Sequence, residues 1–165
     1  MKKIAFLIFI LFIISGCSER PLSPVIEKDM TFYDSPERPR ELSAGTEEAG
    51  LSSVLVDYCW NENLAMCELE IINPAKSLEG LRTQVVEKGD KMRFLFDGSP
   101  ELKAPLPARE KLYSFESNVP IEVAFNPDGT LTVPEEKGRH NFGYLAEYDG
   151  DIKGQAYYGF AVIVK

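Results

Sequence analysis

Gln155-Ala156-Tyr157-Tyr158-Gly159-Phe160-Ala161-Val162-Ile163-Val164-Lys165 decides the fold. Ala156, Tyr158, Phe160, Val162 and Val164 recur at every second position, so an extended strand carries them all on one face. Aromatic and β-branched residues fill the run, as a pleated sheet favours. Working upstream, short runs of the same kind alternate with turn residues. Residues 149–154 turn the chain after a strand at 140–148, and 134–138 turn it before that strand. Asn126-Pro127-Asp128-Gly129 has Pro second and Gly fourth, a β-turn signal that predicts a hairpin between 121–125 and 130–133. Further strands are expected at 111–116, 83–87 and 51–60, and at 91–97, where Met92, Phe94 and Phe96 share a face. Cys67-Glu68-Leu69-Glu70-Ile71 alternates apolar and acidic side chains, the period of a half-buried strand, and Asn73-Pro74 stops it. The proline-interrupted stretch 99–109 reads as a long connection, and only 77–82 offers a short turn of helix. About eight or nine strands, roughly 8–14 residues apart, predict an all-β fold, an antiparallel immunoglobulin-like β-sandwich. A small closed barrel is the alternative.

The N-terminus carries a different signal. Met1-Lys2-Lys3 is followed by an unbroken apolar run over 4–14. Such a run is too short for the ~30 Å hydrocarbon core and reads as the apolar part of an export signal. Ile14-Ser15-Gly16-Cys17 resembles the lipobox of bacterial lipoproteins. That resemblance implies a diacylglycerol on the Cys17 thiol and cleavage just before it. An ordinary secreted protein, with Cys17 buried or in a disulfide, is the alternative. Residues 18–50 contain Pro21, Pro24, Pro36 and Pro39 and few large apolar side chains, a composition too poor in burial to offset its ordering entropy. The expected organisation is therefore a signal peptide over 1–16, a lipidated Cys17 with a flexible, disordered tether over 17–50, and a sandwich domain over 51–165. Ser18 fits delivery to the outer membrane if the source has two membranes. With one membrane, the protein sits on the outer face of the cell membrane.

The chain of 165 residues has 18 basic and 26 acidic side chains, a net charge of -8, and loss of Lys2 and Lys3 would leave it more acidic still. That balance argues against a nucleic-acid partner and against adhesion to anionic lipid through a basic patch. With Cys17 lipidated, Cys59 and Cys67 remain on either side of Asn61-Glu62-Asn63. A hairpin centred on Asn63 would set them face to face within disulfide reach, a bridge contributing roughly 2–3 kcal/mol. A redox couple is the alternative, but a catalytic pair usually stands as C-x-x-C at a helix start.

Signals for chemistry are thin. His140 is the single histidine, without a G-x-S-x-G elbow, and the chain has no H-E-x-x-H and no Gly-rich phosphate loop. Glu68 and Glu70 read as a solvated face, with an acid/base pair as the sharper alternative. Glu147, Asp149 and Asp151 surround Gly150 as an acidic hairpin turn. Weak calcium binding is the alternative, although Ile152 stands where an EF-hand needs Gly. Trp60 reads as core packing beside the disulfide, or else as a ligand platform. No catalytic residue, metal site or cofactor is expected. The loops 99–109 and 149–154 are the expected contact surface, with Ser99, Glu101, Arg109, Asp149 and Asp151 as its candidate residues. The edge of 155–165 is left open as a place for strand addition.

Three stretches carry a further likeness: Tyr58-Cys59-Trp60 followed by Cys67; Lys88-Gly89-Asp90-Lys91 leading into Phe94-Leu95-Phe96-Asp97; and Pro134-Glu135-Glu136-Lys137-Gly138 with the closing Ala156-Tyr157-Tyr158-Gly159-Phe160. Together they resemble small extracytoplasmic lipoproteins of Bacillus-type Gram-positive bacteria. The resemblance implies an immunoglobulin-like body at the surface of a one-membrane cell and carries over no catalytic residue. The functional expectation is a membrane-anchored lipoprotein, not an enzyme, that binds a surface protein, a peptide or an envelope component. A regulatory or sensory lipoprotein acting on a membrane partner is one alternative, and a carboxylate-dependent cell-wall hydrolase is another.

Overall fold

The computed structural model describes residues 39–47, 50–60, 67–98, 105–150 and 153–165. The expected signal peptide, Cys17 and the tether up to 38 lie outside them, as do Ser99, Glu101 and Asp151. Among the described residues ten strands are formed: β1 (Leu42–Gly45), β2 (Gly50–Ser52), β3 (Val54–Trp60), β4 (Gln84–Val86), β5 (Lys91–Phe96), β6 (Arg109–Glu116), β7 (Val119–Val123), β8 (Leu131–Thr132), β9 (Gly138–Asp149) and β10 (Lys153–Val164). They make two sheets, β2-β1-β5-β8 and β3-β10-β9-β6-β7, with β4 beside β10 in the larger one. Among the described strands only the β4–β10 pair is parallel. The sheets meet face to face as an antiparallel β-sandwich. Phe94 packs on Tyr144 and Phe160, and Phe96 on Tyr144 and Tyr158, with ring centroids 5.1 to 6.0 Å apart. Among the described residues no helix is long and apolar enough to cross a membrane.

The alternation read in the closing stretch is the core face of β10: Ala156, Tyr158, Phe160, Val162 and Val164 are all buried. The strand is not an exposed edge, however. β9 pairs along its whole length, and β3 and β4 share its other side. Tyr157 and Ala161, on the opposite face, are buried too. Residues 67–83 cause this by lying as a strap across the outer face of the large sheet. Leu69 N–H donates to Gln155 Oε1 at 2.9 Å, Tyr157 O–H donates to the Ile72 carbonyl at 2.6 Å, and Leu78 is buried. Pro74 sits so close to Gly159 that a β-carbon there would lie 2.4 Å from the proline ring. Burial on two faces explains why the stretch is apolar at nearly every position.

The strap corrects the strand expected at 67–71. Its alternation is real, with Cys67 buried and Glu68 and Glu70 exposed, but it lies on a sheet face and has no ladder partner. The turn of helix expected at 77–82 forms upstream, as a 3₁₀ turn at Pro74–Lys76 capped by the Asn73 side chain. The expected disulfide is formed, with Cys59 and Cys67 Cα atoms 5.8 Å apart.

Two further expectations change. The sandwich begins before residue 51, because β1 pairs with β5 and buries Leu42 and Ala44. The Asn126–Gly129 turn forms, with Gly129 N–H donating to the Asn126 carbonyl at 2.9 Å, but it closes no hairpin. Instead β7 folds back on β6, while β8 joins β5 in the other sheet. The turn thus carries the chain between layers.

A candidate interaction surface at one end of the sandwich

Antiparallel register decides which loops share an end. Arg109 stands opposite Glu147, Trp60 opposite Gly154, and Leu42 opposite Phe96. The start of β6, the end of β9, the start of β10 and the end of β3 therefore gather at one end of the large sheet. Of the two contact loops expected from sequence, 99–109 and 149–154, the described parts, 105–109 and Asp149 with Lys153, come together there. Ala108 N–H donates to the Glu147 carbonyl at 2.8 Å. The Glu147 carboxylate takes Arg109 Nε at 2.9 Å on one oxygen and Lys111 Nζ at 3.1 Å on the other. The hydrogen bond and charge of Glu147 raise the Lys111 pKa above the ordinary lysine value. Asp149 faces Lys153 at 3.8 Å across the turn. Glu147 and Asp149 are thus each matched by cationic side chains, as in an acidic turn neutralised by its neighbours. Among the described residues no group of three or more His, Cys, Asp or Glu could hold a metal ion.

Beneath these loops lies an aromatic floor with buried hydroxyls. Trp60 meets Tyr148 edge-on at 4.8 Å and Tyr58 at 6.2 Å, so its indole packs inward as a core ring. Burial, reinforced by the Glu110 carboxylate that holds its hydroxyl, raises the Tyr144 pKa well above the ordinary phenol value. Burial pushes Tyr148 up to about 12, against the opposing pull of the Tyr158 hydroxyl and the Arg40 charge. Arg40 closes this end from the N-terminal side. Its carbonyl accepts the Tyr158 O–H at 2.6 Å, and its guanidinium donates to the Asp97 carbonyl. Beside it a hollow of about 470 Å³ opens between β1, β2 and β3, lined by Arg40, Ser43, Leu51, Ser53 and Tyr158 among others.

The remaining candidates stay apart from this end or from each other. Glu68 and Glu70 are exposed on the strap. His140 lies in β9 with Nε2 at 2.7 Å from the Glu136 carbonyl oxygen. Arg40, Glu110, Lys111 and Lys153 were not singled out by the sequence. Their one available signal is charge at the ends of strands, which is common to most surface loops. No family matches the chain, nor does any curated protein or solved structure.

Proposed function

We propose that the chain is a lipid-anchored extracytoplasmic lipoprotein whose sandwich serves as a binding module, with the end that bears Arg109, Asp149 and Lys153 as its contact surface. The observation that carries this reading is the convergence at one end of Arg109, Asp149 and Lys153 with the Trp60 end of β3 and the Cys59–Cys67 disulfide. The lipobox-like Ile14-Ser15-Gly16-Cys17 supports the anchor, and a disulfide is at home outside the reducing cytosol. The likeness to Bacillus-type surface lipoproteins supports the outer face of the cell membrane, or the outer membrane in a two-membrane source. The expected partner is a surface protein, a peptide or an envelope component.

The test places a photo-crosslinking residue at Arg109, at Asp149 or, as a control at the opposite end, at Asn118 in the full-length membrane-bound protein. Capture from positions 109 and 149 but not from 118 is expected. Capture from 118 alone, or recovery of the Cys17→Ser variant undiminished in the membrane fraction, would sink the reading.

One observation favours a second reading, a regulatory lipoprotein acting on a membrane partner. Arg40, which follows Cys17 by 23 positions in the chain, is fixed to Asp97 and Tyr158 and lends its charge to Tyr148 at the end that bears Arg109 and Asp149. A surface on that side is suited to a neighbour in the membrane, and an integral protein among the crosslinked products would select this reading.

A further inference from the structure

Strands of the large sheet that have no neighbour on one side among the described residues each have an outward N–H disabled. Beside β10, the Tyr58 N–H of β3 is taken by Asp57 Oδ1 at 2.8 Å, and β3 is further distorted where its register slips past Val56. The Glu87 N–H that follows β4 is taken by Asp90 Oδ2 at 3.0 Å. At the far side lies β7, which among the described residues pairs only with β6.

The direction of each β7 backbone group follows from its turn. Ser117 and Asn118 both have positive φ, 49° and 69°, the two-residue turn whose hand matches strand twist. Such a turn joins a hydrogen-bonded pair, here Glu116 and Val119, and hydrogen-bonded and non-bonded pairs then alternate. Phe115 and Pro120 are therefore a non-bonded pair, and position 120 faces the free edge, as does 122. Pro120 has no N–H to present there. Val119 and Ile121 project beside it from the same strand, 60% and 39% exposed.

An edge of five residues with exposed apolar side chains is otherwise a template for another strand. Its natural mate is an identical edge. Two β7 strands related by a two-fold axis through Ile121 would pair antiparallel, with 120 opposite 122 in each direction and the two Ile121 side chains adjacent. The Pro120 residues of the two copies delete half of the hydrogen bonds that pair would make. The remaining edges are poorer templates, because β2 and β4 are three residues long and β8 only two.

We propose that Pro120 is an edge guard: it bars β7 from pairing with β7 of a second copy of this chain, which that edge would otherwise accept. The experiment uses the mature chain with Cys17→Ser, so that no lipid drives association. Sedimentation velocity is measured over a concentration series, with far-ultraviolet circular dichroism as the check on folding. Wild type is expected as a monomer at every concentration. P120V should form a dimer whose share rises with concentration, and P120V/I121K should return to monomer. P120A restores the N–H with less bulk and carries the same expectation should P120V fail to fold. A folded Pro120 variant that sediments like wild type overturns the proposal. So does a dimer that survives I121K, or a wild type that already dimerises through position 120.

Discussion

Gly143 is the position where β9 tolerates least. The Tyr157 ring lies across it, and a β-carbon would come within 2.0 Å of the tyrosine oxygen and 2.6 Å of the ring. Tyr157 has little room to retreat, since it is buried and donates to the Ile72 carbonyl. G143A is therefore expected to cost about 3 kcal/mol, the upper range for overpacking, read from the urea midpoint. G50A, where a β-carbon meets nothing within 4 Å, should stay within about 0.5 kcal/mol and serves as the control. Glu147 is a milder case. E147A removes the partner of Arg109 and Lys111, but both cations reach solvent, so a loss of about 1 kcal/mol or less is expected in the same assay. Sequence alone could mark Glu147 as one of three acids around Gly150. It could not say that Arg109 and Lys111, on β6, would supply the countercharge, because that depends on strand register.

The strap is the element with most to lose. Its first residue is tied to β3 by the disulfide and its far end runs into β4, while Leu69 and Ile72 hold it to β10 in between. Paired C59S/C67S substitution should lower stability by roughly 2–3 kcal/mol on the chain-entropy argument. Amide exchange should rise first at Leu69, while the β9–β10 ladder keeps its protection until global unfolding. Equal acceleration across both would mean that the strap is no separate unit. That Cys59 and Cys67 pair was legible from their short separation, but the hairpin expected to set them face to face is not what joins them, since Cys67 opens the strap and not a strand paired with β3. Where the following residues go was not legible, since a two-residue period describes any extended segment with one dry side, on a sheet face as well as within it. The Asn126–Gly129 turn teaches the same lesson. Its chemistry fixed a reversal, while the true hairpin at Ser117-Asn118 has no glycine to announce it.

For the molecule as a whole, buried phenols set the alkaline limit. Tyr144, Tyr148 and Tyr157 are raised, each chiefly by burial. Below pH ~10 these groups are neutral in both states, and their contribution to stability is complete. Above it the unfolded chain releases their protons while the folded one cannot, so stability falls with rising pH. Tyrosinate absorbance should therefore appear together with loss of the β-sheet signal, and free titration of all seven tyrosines in a folded chain would contradict this. On the acid side Asp128 works in the opposite sense. Its hydrogen bond to Lys91, then those to Thr130, hold it below the ordinary carboxylate range, so its support is present above pH ~4 and is lost as pH falls further. The all-β class was legible from alternation and turn spacing. The layer assignment of β7 and β8 was not, since β7 follows a turn that no glycine announces, β8 follows a turn signal that says nothing of layer, and only packing decides which sheet each joins.

The position of β10 has a consequence in time. It follows every other described strand in chain order, yet it stands between β3 and β4 on one side and β9, β6 and β7 on the other. A polypeptide delivered N-terminus first, from a ribosome or through a membrane, has both halves of its larger sheet in hand with nothing to join them. Closure must wait for Lys153–Val164 to emerge. Until then, the inner faces and unpaired backbones that β10 will cover are open to whatever lies nearby, and a companion that shields them during delivery would matter more to this chain than to one whose central strand is made first.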